Sequence, residues 1–119
     1  MDGEHEREEP WAVVDLRPAS FEAIADRLLA SRSFEELVYR ESEMDALFTL
    51  ADIAVKEQER ARAETLAAGT DPSPVEQHLR SLRSLIFEAH DLSHDDQNEE
   101  AARTLRKAAE LARQFEEGK

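Results

Sequence analysis

The sequence contains no cysteine. Disulfides, thiolate nucleophiles and cysteine-based zinc sites are therefore excluded. Three glycines and four prolines leave no glycine-rich run of the kind that cradles a phosphate. No apolar stretch approaches the roughly 20 residues that a membrane-spanning helix needs. Positive charge is scarce as well: 15 Lys and Arg stand against 28 Asp and Glu, for a formal net charge of −13. A phosphate backbone or an anionic lipid surface repels such a chain, so neither nucleic-acid binding nor membrane binding is expected. A basic protein partner remains compatible with the charge. The opening "MDGEHEREEP" is acidic and has no apolar core, unlike a signal peptide, which predicts a cytoplasmic protein.

What is present favours helix. Hydrophobic residues make up 40% of the chain, mostly Ala and Leu, which are good helix formers. The 119 residues suit one domain that buries about two-thirds of its unfolded surface. The expected fold is all-α: a small helical bundle with a long central helix and a C-terminal antiparallel helical hairpin, preceded by a short extended N-terminal strip. Residues 1–9 read as a disordered acidic tail, and 10–119 as a single helical domain. In "PWAVVDLRP", residues 10–18, prolines bound a short apolar piece that reads as extended. Trp11 is expected to dock, on its own chain, on a second subunit or on a partner.

The helices follow from apolar spacing and from start and stop signals. Ser20 is placed to cap a first helix over about 21–31, with Phe21, Ile24, Leu28 and Leu29 on one face. Ser33 and Glu36 form a capping box that opens a second helix over 34–68. "SEMD" at 42–45 is another possible box, so that helix is either one piece or broken near 42. "SPVE" at 73–76 opens a third helix over 74–93, with Ser73 as cap, Pro74 in the first turn and Glu76 closing the box. Val75, Leu79, Leu82, Ile86 and Ala89 form its stripe. The fourth, over 97–117, opens at Asp96 with Glu99 three residues on. Ala101, Leu105, Ala108, Ala112 and Phe115 form its inner face, and Gly118 its end. At Leu85, Ala89, Leu92, Ala101, Leu105 and Ala108 the hairpin resembles a tetratricopeptide repeat, which implies paired helices. Glu88 stands where that family prefers an apolar residue, and no second copy occurs upstream at the family's period.

"EAHDLSHDD", residues 88–96, places His90 and His94 four apart, a spacing that zinc can use on a helix. A helix end explains the stretch without a ligand, because acids suit the start of one helix and histidines the last turn of another. The second helix raises a different question. Leu37, Met44, Phe48, Ala51, Val55 and Leu66 share one face, while Leu47, Leu50, Ile53 and Ala54 spread over much of the other. Even 26 residues span about 39 Å, longer than either C-terminal helix. A helix apolar on two sides needs neighbours on two sides, so a homodimer through residues 44–66 is expected. Its contacts are placed at Met44, Leu47, Phe48, Ala51 and Val55, with Phe87 and Trp11 as further partner or dimer contacts. Phe87 falls away from its helix's stripe, near Arg83, His90 and His94. It reads either as buried under the first helix or the strip, or as a partner's anchor.

No nucleophile–base pair, paired carboxylates in a cleft or cofactor loop can be placed, so no catalytic residue, cofactor or enzymatic activity is expected. Most acids follow solvent faces or stand four from an arginine, as in Glu36–Arg40 and Glu99–Arg103. Asp52 reads as partly buried beside Lys56. The reading is a non-enzymatic adaptor or regulatory accessory protein that works by protein contact as a homodimer. One alternative is a small helical metal-binding protein using His90 and His94. Another is an acidic mimic of nucleic acid that occupies a basic protein.

Overall fold

The computed structural model describes residues 15–64 and 72–118. The tail, the strip as far as Val14 with Trp11, and the second helix beyond residue 64 lie outside the described residues. Four α-helices account for nearly all of the rest, with no strand among the described residues: α1 (Pro18–Ala30), α2 (Phe34–Ala63), α3 (Pro74–His94) and α4 (Asn98–Glu117).

α1 begins three residues before the expected start, because Pro18 takes the first turn, where its missing N–H costs nothing. Ser20 is therefore not the cap. Its hydroxyl accepts from the Asp15 N–H at 3.1 Å, and the Asp15 carboxylate accepts from the Arg17 N–H at 3.0 Å. This local turn leads the chain into the helix and lays Leu16 against the core. Phe21, Ile24, Ala25 and Leu28 are buried as the spacing requires, but Leu29 lies on the exposed edge.

α2 is a single unbroken helix. Ser33 caps it by accepting from the Glu36 N–H at 3.2 Å, while the Glu36 carboxylate reaches back to the Arg32 N–H. "SEMD" starts nothing. Glu43 points inward, nearly fully buried, and meets Arg27 at 2.8 Å and Arg40 at 3.1 Å. The sequence pattern alone cannot distinguish a carboxylate that caps from one held across the bundle by arginines.

The same ambiguity applies to α3. Ser73 caps it, accepting from the Glu76 N–H at 3.1 Å, and Pro74 takes the first turn. Glu76, however, does not close the box; its side chain is buried and bound by arginines. Leu82, Ile86 and Ala89 are buried, whereas Val75 at the first turn is exposed. α3 ends in a tight turn. The Asp96 N–H bonds the Ser93 carbonyl at 3.0 Å and the Gln97 N–H bonds the Leu92 carbonyl at 2.9 Å. Asp96 has a φ of 66°, the left-handed conformation of a Schellman end. Asp96 thus belongs to the end of α3 rather than the start of α4, whose first turn has no side-chain cap.

α1 packs on α4, α4 on α3 and α3 on α2, with a smaller contact between α1 and α2. Alanines make the α4 contacts close: Ala101, Ala102, Ala108, Ala109 and Ala112 are buried around Leu105. Small side chains let the backbones of α1 and α3 approach α4 from two sides. Phe21, Ile24, Leu28, Met44, Leu47, Leu82 and Ile86 fill the remaining volume. At 30 residues α2 is longer than α3, which has 21. That is about 45 Å against about 32 Å, so the first turns of α2 run past the end of α3.

Candidate functional site

Two surfaces meet the requirements of a site: the seam where α2 lies on α3, and the parts of α2 that no helix of the described residues covers. The seam is an antiparallel ladder. Glu41 faces His94 at 3.5 Å and Asp45 faces His90 at 3.0 Å. The Phe48 and Phe87 rings tilt together with centroids 6.0 Å apart. Asp52 meets Arg83 at 2.7 Å and Glu59 meets Arg80 at 2.8 Å. The last rung reverses the charges: Arg62 donates from Nε and Nη2 to both oxygens of Glu76, at 3.1 and 2.9 Å, a bidentate fork. The rungs recur every three or four residues on α3, and at three, four or seven on α2, because those spacings keep side chains on one face of a helix.

These partners fix the protonation of the carboxylates. Hydrogen bonds from Lys56 and then Arg83 hold the Asp52 carboxyl below its ordinary range, against the opposing effect of burial. The Arg62 fork does the same for Glu76. Both are thus ionised, acceptor-only groups at neutral pH. His90 and His94 each face a different α2 carboxylate, and each pair is ionic only while its imidazole is protonated. Among the described residues no group of three or more His, Asp or Glu side chains is placed to hold a metal ion. In the ladder His90 faces Asp45 and His94 faces Glu41, on separate rungs. Expected neighbours along a helix also shift: Arg40 goes to Glu43 and Arg103 to Glu100, each three residues away. Asp52 does pair with Lys56, at 3.1 Å.

The expected dimer contacts divide. Met44, Leu47, Ala51 and Val55 are fully buried inside the chain's own bundle, so their side chains have no surface left for a second copy. Their apolar character is used against α3 and the core. Phe48 is half-buried on the seam. Phe87 is not covered by α1; it is 61% exposed with one face on Phe48. Trp11 lies outside the described residues.

Of the surface left uncovered among the described residues, sequence spacing gave Leu50 and Ile53, on the second apolar side of α2, but neither Tyr39 nor Ala46. Tyr39, Leu50 and Ile53 are exposed, Ile53 at 51%, and Ala46 is half-buried between them. At about 100° per residue the four lie within an arc of about 60° on the side of α2 away from α3. A separate patch lies at the overhanging start of α2, where Phe34 is 82% exposed and Val38 lies beside it. The signal that could have found the strip is the seven-residue spacing of Tyr39, Ala46 and Ile53.

No family model, curated protein or solved structure matches the chain. The likeness of residues 82–112 to a tetratricopeptide repeat accordingly goes no further than the paired helices. No helix of the described residues is long and apolar enough to cross a membrane.

Proposed function

We propose that the protein is a non-enzymatic interaction module that acts as a homodimer, with the outer strip of α2 as the contact between copies. The observation that carries this reading is the strip itself: Tyr39, Ala46, Leu50 and Ile53 on the longest described helix, on a face that no other helix of the described residues covers.

Charge placement supports a second copy in antiparallel register. The first turn of α2 carries Glu35 and Glu36 and its last turn Arg60 and Arg62. Two α2 helices lying antiparallel bring each acidic first turn to its partner's basic last turn, twice over by the two-fold symmetry of such a contact. The same register sets Ala46 beside the partner's Ile53, a small residue against a large one. Arg62 is already bound to Glu76, so Arg60 is the cation offered across the contact. About 45 Å of helix gives this contact its length, while the net charge of −13 opposes it.

Sedimentation of the full chain at micromolar concentration tests the reading. The expected mass is twice 13.5 kDa. Leu50→Asp combined with Ile53→Asp is expected to give the 13.5 kDa species with unchanged helical circular dichroism, since both side chains are exposed in the single chain. A wild-type chain that sediments as a monomer sinks the proposal.

A further inference from the structure

We infer that the overhanging start of α2 and the end of α3 form a docking groove for a basic, amphipathic segment of another protein. The groove has a volume of about 310 Å³. Phe34, Leu37 and Val38 supply its apolar wall, and Glu41, His94 and Asp96 its polar one. It exists because α2 is longer than α3. At its start α2 has run past His94, the last residue of α3; Leu37 still packs on the core there, but Phe34 and Val38 are left exposed. A phenylalanine left 82% exposed beside a concave surface is the kind of group that becomes an anchor when a partner covers it.

The charge around the groove selects the occupant. Glu88, Asp91 and Asp95 stand three and four residues apart on α3, and all three are exposed. Together with Asp96 they form an acidic track along the outer face of α3 to the groove mouth. The other acids of the α2–α3 seam are matched by His90, His94, Arg83, Arg80 or Arg62. The four carboxylates of the track make no ion pair among the described residues. A partner carrying Lys or Arg on one side and apolar residues on the other satisfies both features. Ser93, nearly buried, also lines the groove, and its hydroxyl makes no hydrogen bond among the described residues. It is available to a polar group of the guest.

The chain's own N-terminal segment does not fit this description. Residues 1–9 hold five acids and one arginine, the wrong sign for an acidic mouth. It joins the body at Asp15, beside the first turn of α1, whereas the groove lies at the opposite end of the bundle. The ion pairs show the direction: Glu22 binds Arg113 late in α4, while Arg27 near the end of α1 binds Glu43 early in α2. The groove is also distinct from the strip proposed for self-association. Phe34 and Val38 lie about 100° around α2 from the centre of that strip.

Fluorescence anisotropy with a labelled 14-residue peptide, leucine at helical i, i+3, i+4, i+7 spacing and lysine elsewhere, tests the inference on the full chain. Saturable binding in the micromolar range is expected. Phe34→Ser with Val38→Ser should weaken it roughly tenfold or more, with an unchanged melting temperature because both residues are exposed. Replacing Asp91, Asp95 and Asp96 by Asn should weaken it and flatten its salt dependence. The Leu50→Asp, Ile53→Asp variant should bind as wild type, so failure of the dimer and failure of the groove are read separately. Four results overturn the inference. One is no binding at high micromolar protein, and another is equal binding of a peptide with serine in place of leucine. The third is a mass shift to monomer in the Phe34→Ser, Val38→Ser variant, which makes the groove a self-contact. The last is a tenfold gain in affinity on deleting residues 1–14, which makes the chain's own segment the occupant.

Discussion

α4 and α2 solve the same packing problem in different ways. α4 puts every buried residue on one side, five of them alanine, and its charged residues on the other. It is covered by α1 and α3 and leaves no large hydrophobic side chain exposed. α2 buries five residues, one of them Glu43, and leaves Phe34, Val38, Tyr39, Leu50 and Ile53 in solvent. Its long seam with α3 is largely a ladder of charges. α4 is thus fixed chiefly by close apolar contact, which is short-ranged and insensitive to pH, with two exposed ion pairs to α1 at its edge, and α2 in good part by ion pairs, which are neither. The lesson is that a helix fully satisfied by its own chain serves structure, whereas one left apolar on an uncovered side retains surface for a partner.

The largest expected effect contrasts the two directly. Leu105→Ala removes a fully buried side chain between neighbours on both sides, and should cost about 2–5 kcal/mol. Ile53→Ala removes a comparable side chain from an exposed site and should stay within about 0.5 kcal/mol, measured in a Leu50→Asp background once sedimentation has shown that single variant to be monomeric. Urea unfolding at fixed protein concentration measures both. Similar losses at the two positions would mean that the outer face of α2 is covered in the folded chain, and the contrast would collapse.

The split between α4 and α2 also marks how far the sequence could be read. The α4 stripe from Ala101 to Ala112 was legible because its period is unambiguous and its other face is charged. All four helices were legible from their apolar spacing, and the starts of α2 and α3 from Ser33, Ser73 and Pro74, which act locally, whereas Ser20 and Asp96 cap neither α1 nor α4. The destinations of the charges were not. Glu76 reads as a capping residue until Arg62, 14 residues earlier, is brought beside it. Asp45 reads as the closing acid of a box at 42–45 until His90 is brought beside it, and nothing in the spacing shows that Glu43 turns inward to Arg27. Which apolar face of α2 turns inward was also illegible, since both satisfy the helical period. Met44 and Leu47 were placed on separate faces and offered to a second copy, and the position of α3 decided that both belong to the core.

A second, intermediate effect separates the helices by acidity. Asp52 and Glu76 have carboxyls held below their ordinary range by Lys56 and Arg83 and by Arg62. The folded state therefore binds their protons less readily than the unfolded chain does. Their contribution is complete above the ordinary carboxylate range and is lost as pH falls through it towards the lowered values. Stability should thus drop on acidification, and Glu76→Gln should lower stability at neutral pH while making the acid limb shallower. Cross-seam protection should fail first, read as faster amide hydrogen exchange in α2 than in α4 at low pH. Equal loss in the two helices would argue against the ladder as what holds α2.

The smallest expected effect concerns how each helix is entered. α2 depends on one side chain, the Ser33 hydroxyl, whereas α4 has no such cap and follows directly from the Schellman turn at Asp96. That turn needs a positive φ, which costs an ordinary L-residue about 1–2 kcal/mol, an aspartate less, and glycine nothing. Replacing Asp96 by glycine removes the residual strain but adds freedom to the unfolded chain and deletes a negative charge close to the start of α4, where the helix dipole favours one. These terms oppose each other, so the expected gain is small, below about 1 kcal/mol. Asp96→Ala keeps the strain without the tolerance of an Asp and loses the charge as well, so it should be the least stable of the three. Thermal melts should rank them Gly, Asp, Ala. Gln97→Ala, at the α4 N-cap, should change little, because the Gln97 side chain caps nothing and the bond from its backbone N–H to the Leu92 carbonyl survives the change. If Asp96→Ala matches the wild type while Gln97→Ala destabilises, the entry to α4 is a side-chain cap after all, and it does not differ in kind from the entry to α2.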